Sequence, residues 1–140
     1  MRQAFIDESV IEPNMADGVY VIAAAVVIDD ADEVRSLVVA NLNRKRPFHW
    51  MDDQGPIVRE RLLRLIVETK IHSVVAYENL VGPRTQEPAR RRLLHDEVLP
   101  RLHRREVGHI VFEQRGGQDQ HDKRTMAEFR ADAAIAVRWS

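Results

Sequence analysis

Four acidic residues carry most of the chemistry that this chain could do. Asp7 and Glu8 follow directly on the apolar run Ala4-Phe5-Ile6, Glu113 lies in the run GHIVFEQ, and Asp122 falls in a helical pattern near the C-terminus. Carboxylates are costly to bury alone, so acids at the ends of apolar strands mark either solvated turns or places where a cation is expected. Several carboxylates a few ångströms apart stay ionised only if a cation neutralises them, and an all-oxygen donor set suits Mg²⁺ or Mn²⁺. Two such ions would activate water and stabilise the leaving oxygen of a phosphodiester. The plainer reading is that turns favour Asp.

Period-2 alternation sets Asp7 on the face of Phe5 and Glu113 on that of Val111, while Glu8 falls opposite, with Ala4 and Ile6. Asp122, Met126, Phe129 and Ala133 recur at helical spacing, so Asp122 stands on the stripe that packs on a sheet. Asp7, Glu113 and Asp122 are therefore expected to converge as metal ligands, with Glu8 assisting. Asp119 reads as a helix N-cap.

His49, in FHWMDD, could orient a phosphate, act as a general acid or bind metal beside an Asp. Its plainer role is packing, with Asp52 or Asp53 capping the next helix. Arg90, Arg91 and Arg92, with Arg101, Arg104 and Arg105, are usable phosphate contacts or simply a solvated helix face.

The elements that must position these groups follow from periodicity. Residues 2–8 read as a first strand and Gly18–Asp29 as a second, apolar on both faces and so central in a covered sheet. Asp30 and Glu33 signal a helix with Val34, Leu37, Val38 and Leu42 on one stripe, ending at the basic stop 43–46. A short extended piece, PFHWM, leads to a second helix that Pro56 opens, with Val58, Leu62, Leu65 and Ile66 as its stripe, ending near Lys70. IHSVVAYE is a third strand, and a helix runs from about Glu87 to Arg105, where Pro100 should kink it. GHIVFEQ is the next strand, Gly116-Gly117 a break, and Asp119 to about Arg138 the last helix. An initial antiparallel hairpin followed by alternating strands and helices implies an α/β domain with a mixed sheet.

The bulk properties agree. A chain of 140 residues, 44% hydrophobic and 31% charged, is the size and composition of a single globular domain. The longest apolar stretch, Val19–Ile28, is about half of a membrane span, so no membrane is expected and a cytoplasmic location is. Zero cysteines excludes disulfides, thiolate metal sites and a cysteine nucleophile. Charge is uneven: Met1–Glu33 holds eight acids and one base, Arg84–Arg105 seven bases and three acids. No G-x-S-x-G, P-loop, dinucleotide fingerprint or H-E-x-x-H occurs.

A first strand ending F-I-D-E-S, the apolar strand VYVIAAAVV, an F-H-W-x-D segment before a helix, and a later strand ending V-F-E-Q-R with Asp residues after it together resemble the bacterial "domain of unknown function 3800" family. That family is grouped with the ribonuclease-H-like nucleases. The resemblance implies a single ribonuclease-H-like domain over residues 1–140, with a site including Asp7, Glu8, His49, and Glu113 with Arg115; Asp122 fits the acid that follows. It departs at the end: Ala131-Asp132-Ala133 is only a fragment of the family's L-Q-x-A-D-like motif, so the family's C-terminal helix is expected to be lacking.

The expectation is a metal-dependent phosphodiester hydrolase acting on RNA or DNA through Mg²⁺ or Mn²⁺. Asp7, Glu113 and Asp122 are the expected ligands, Glu8 and His49 assist, and Arg90, Arg91 and Arg115 contact phosphates. The alternative is a catalytically inactive module that keeps the fold for binding, and a homodimer is left open.

Overall fold

Residues 1–11, 18–28, 30–42, 55–81, 85–133 and 138–139 are described in the computed structural model. His49, Asp52 and Asp53 lie outside them. The elements are β1 (Arg2–Ile11), β2 (Val19–Val27), α1 (Ala31–Leu42), α2 (Pro56–Glu68), β3 (His72–Asn79), α3 (Gln86–Arg92), a π-helical segment (Leu93–Val98), α4 (Leu99–Arg104), β4 (Val107–Phe112), α5 (Asp119–Ala133) and β5 (Arg138–Trp139). By internal packing the chain forms two compact units, Met1–Val26 with Ser73–Ser140, and Val27–His72.

The larger unit is built on one sheet in the order β3-β2-β1-β4-β5. Between β1 and β2 lie too few residues for a parallel crossover, so the pair is an antiparallel hairpin. At β3, the Leu80 amide donates to the Gly18 carbonyl at 2.7 Å, which joins the end of β3 to the start of β2 and makes that pair antiparallel too. β1 and β4 run parallel, with Ala4 beside Ile110 and Ile6 beside Phe112, and β4 pairs in parallel with β5. The sheet is mixed, as the alternation of elements implies.

Strand alternation decides what the sheet buries. Ala4, Ile6, Tyr20, Ile22, Ala24, Val74, Ala76, Ile110 and Phe112 join Ala89, Leu94, Val98, Leu99, Leu102, Met126 and Phe129 of the helices in one buried cluster. On the odd-numbered positions of the edge strand β3, Val75 and Tyr77 are exposed.

Two element boundaries differ from the sequence expectation. β1 does not stop at its acids but continues to Ile11, because Asp7 and Glu8 point to opposite faces and each finds a tolerable environment there. The last helix is described as far as Ala133, and Arg138–Trp139, expected at its end, instead extends the sheet beside β4. Pro100 has a local consequence also. Lacking an N–H, it cannot bond the carbonyl four residues back, and the six residues before α4 adopt π-helical spacing.

In the smaller unit α1 and α2 pack on each other, with Val34 and Leu65 buried. The Asp30 carboxylate accepts the Asp32 amide at 2.8 Å, the capping contact that the sequence signals. Among the described residues no helix is long and apolar enough to cross a membrane.

Ile22 is fully buried at the centre of the sheet, so Ile22→Ala should cost about 2–5 kcal/mol in urea unfolding. Val75→Thr, on the exposed side, should stay within about 0.5 kcal/mol of wild type. Equal losses would contradict the assignment of the buried face.

Candidate active site

The site is best built from Arg90. Its helix presents Arg90, Leu94, Val98 and Leu102 along one stripe toward the sheet, and Arg90 is 3% exposed. A guanidinium carried there must meet acceptors, since it is never deprotonated at ordinary pH. Asp122, 2% exposed on the inward stripe of α5, takes it bidentately: Nε donates to Oδ1 at 2.8 Å and Nη2 to Oδ2 at 2.9 Å. Arg90 Nη1 donates to Glu8 Oε2 and, at 3.3 Å, to the Tyr20 hydroxyl. Burial opposes the Arg90 charge most strongly, but the hydrogen bond and charge of Asp122 together with the charges of Glu8 and Glu87 outweigh it, so the pKa is raised.

A second arginine closes the cluster. Arg115 leaves β4 just before Gly116, whose φ of 64° lies in the left-handed region that glycine adopts freely, and its backbone N–H donates to Asp119 Oδ1 at 2.6 Å. Asp119 thus ties down the turn before α5 rather than only capping the helix. The Arg115 side chain donates to Glu87 Oε2 at 2.6 Å, Gln118 Oε1 at 2.7 Å and Asp122 Oδ1 at 3.1 Å, and its Nε lies 3.5 Å from Glu8 Oε1. Every carboxylate oxygen of Glu8 and Asp122 therefore faces a guanidinium nitrogen.

This arrangement divides the expected ligand set. Asp122 does not meet Asp7 and Glu113; it meets Glu8, because α5 packs on the face of Ala4 and Ile6, and Glu8 shares that face. Glu8 was the acid expected only to assist, yet it is the one drawn into the cluster. Asp7 is exposed on the opposite face, with its Oδ1 accepting the Glu8 amide at 2.8 Å, and Glu113 is exposed just beyond β4. These two follow the last aligned pair of the parallel strands, Ile6 and Phe112. Arg90 and Arg115, expected on phosphates, are turned inward, while Arg91 remains exposed and pairs with Glu128 at 2.7 Å.

As seats for a divalent ion the two pairs of acids differ. Glu8 and Asp122 do not fit, since their oxygens are already committed to two permanent cations. Asp7 and Glu113 do fit: among the described residues neither has a cationic partner, and a pair of carboxylates completed by water is an ordinary donor set for Mg²⁺. Among the described residues no group of three or more acids or histidines could hold an ion.

A cleft of about 730 Å³ lies to one side, between α3 with the π-helical segment and α5, and includes none of Asp7, Glu113 or Asp122 in its lining. There His95 is clamped between Asp96 (Nδ1 to Oδ1, 2.7 Å) and Asp132 (Nε2 to Oδ2, 2.9 Å), with the Phe129 ring edge-on at 6.0 Å. The hydrogen bond to Asp96, with that to Asp132 added, raises the His95 pKa despite partial burial.

No family model and no curated protein matches the chain. Among solved structures it is similar to the PCNA:RNase HII complex from Archaeoglobus fulgidus, at 16% identity and TM-score 0.55, covering all of this chain and 62% of that one. It is also similar to the Q54A mutant of Bst-RNase HIII, at 16% identity and TM-score 0.50, covering 99% of this chain and 43% of that one. The fold is ribonuclease-H-like. The ribonuclease-H-like chain spans less than two thirds of the length of either neighbour, and at this identity the likeness concerns architecture alone.

Sequence reading missed Glu87 and the inward role of Arg90. The signal was present: Arg90 sits one turn ahead of Leu94 on the same stripe as Val98 and Leu102, the argument that placed Asp122 inward on α5.

Asp122→Ala, which leaves Arg90 buried and uncompensated, should cost about 3–5 kcal/mol in urea unfolding, against about 0.5 kcal/mol or less for the exposed Glu113→Ala. For His95 the raised folded-state pKa means its contribution is fully present below the ordinary value of about 6.5 and is lost as pH rises through the folded value. The melting temperature of wild type should fall over that window relative to His95→Gln; parallel curves would remove His95 from the account.

Proposed function

We propose that this chain is a ribonuclease-H-like nuclease that hydrolyses phosphodiester bonds of RNA or DNA, with Mg²⁺ or Mn²⁺ held by Asp7 and Glu113. The observation that carries the reading is the exposed pair of carboxylates, without a cationic partner among the described residues, at the carboxyl ends of adjacent parallel strands, where α/β sheets gather their reactive groups. The ribonuclease-H-like fold supports it as an analogy of architecture. So does the F-I-D-E-S and V-F-E-Q-R resemblance to the domain of unknown function 3800 family.

When bound, the ion would polarise the phosphoryl oxygen and lower the pKa of a water. The chain's own residues supply the rest. Asp7 and Glu113 would hold the ion from neighbouring strands, and the Asp7 side chain is steadied by the Glu8 amide. Glu8 and Asp122 act behind them by fixing the end of β1 against α5 through Arg90. Arg91 and Arg124, which share Glu128 at the cleft beside α5, are exposed cations on the Glu8 side of the sheet, suited to phosphates of a nucleic acid away from the ion rather than at it.

A second reading, an inactive ribonuclease-H-like binding module, is favoured by the neutralisation of Glu8 and Asp122 by arginine. A Mn²⁺-dependent cleavage assay on single- and double-stranded substrates separates the two. Cleavage should fall about 100-fold or more in Asp7→Asn and Glu113→Gln. Wild type that cleaves nothing, or variants as active as wild type, would sink the nuclease reading.

A further inference from the structure

We infer that Arg90 is a built-in cation that bars a divalent ion from the space between Glu8 and Asp122, so that the described acids hold at most one such ion, at Asp7 and Glu113. The second clause rests on the proposed function; the first stands without it.

Four observations carry the exclusion. Arg90 and Asp122 are both buried beyond nine-tenths, so neither charge can relax into water. The guanidinium fork fills both oxygens of Asp122 and reaches one of Glu8, and Arg115 faces the other. Arg90 Nη1 also donates to the Tyr20 hydroxyl at 3.3 Å, so it has two acceptors, Tyr20 and Glu8. Arg115 is itself held by Glu87 and Gln118, so moving it aside would break those two contacts as well. A divalent ion entering here would meet two like charges at contact range and would strip oxygens that already accept charge-assisted hydrogen bonds. Because arginine stays protonated, the exclusion does not depend on pH in the way that a lysine's would.

The consequence is a ribonuclease-H-like site in which part of the carboxylate cluster is neutralised by the fold. The end of β1 and the first turn of α5 are then held in place before any ion arrives.

The test is the number of Mn²⁺ ions bound, counted by calorimetry and by electron paramagnetic resonance of free Mn²⁺. Wild type should bind one ion, Arg90→Lys should bind the same number, and Arg90→Gln should bind one more and gain melting temperature with Mn²⁺. Two ions in wild type would overturn the inference while leaving the nuclease reading intact. No ion in wild type with one in Arg90→Gln would uphold the exclusion and sink the metal site at Asp7 and Glu113. A folded Arg90→Gln that gains no ion would overturn the exclusion. If Arg90→Gln does not fold, Glu8→Gln decides: the wild-type ion count upholds the inference, and loss of an ion overturns it.

Discussion

One buried contact, the forked pair of Arg90 with Asp122, sets the conditions for everything around it. Isolated, either charge would be prohibitively costly at that depth, so each exists only because the other does. The pair joins α3 to α5, Glu8 brings in β1, and Arg115 brings in the turn that follows β4. Four elements distant in sequence are thereby fixed at one point. Apolar packing alone would leave more freedom there, since a hydrophobic contact has no preferred direction and a guanidinium fork does.

That constraint explains why the two acids of β1 behave so differently. Alternation makes neighbours on a strand face opposite sides, so a single helix packed on one side captures Glu8 and leaves Asp7 untouched. Asp7 then inherits the exposed side of the strand end, aligned with the residue after Phe112 on the parallel partner. The division of labour between adjacent carboxylates is a matter of geometry before it is one of chemistry.

Most of the architecture is legible in the sequence because two periods, 2.0 and 3.6, suffice to find strands and stripes. The hairpin, the alternation after it and the inward face of Asp122 all follow from them. The partner of Asp122 does not, because periodicity says which residues share a face of an element and never which side of a sheet a helix will choose. Arg90 was hidden for another reason: a basic run such as Arg90-Arg91-Arg92 reads as solvated, and only its register with Leu94 and Val98 separates the buried member from its exposed neighbours. The chain end eluded the helical pattern because its last strand is two residues long, too short to show any period.

The same carboxylate geometry can be neutralised by a metal or by an arginine, and the choice alters the energetics more than the shape. A metal is recruited from solution, so its carboxylates repel one another until it binds and the fold near them is coupled to its concentration. An arginine on a helix arrives with the chain, and its cost is met once, during folding, by the apolar stripe that carries it inward. Here Glu8 and Asp122 are settled by the chain's own arginines, whereas among the described residues Asp7 and Glu113 have no cationic partner. A strand end anchored from one side by a permanent charge presents its other side with little freedom to move. Such rigidity is what a small set of oxygen ligands needs if it is to favour one octahedral geometry over its looser alternatives.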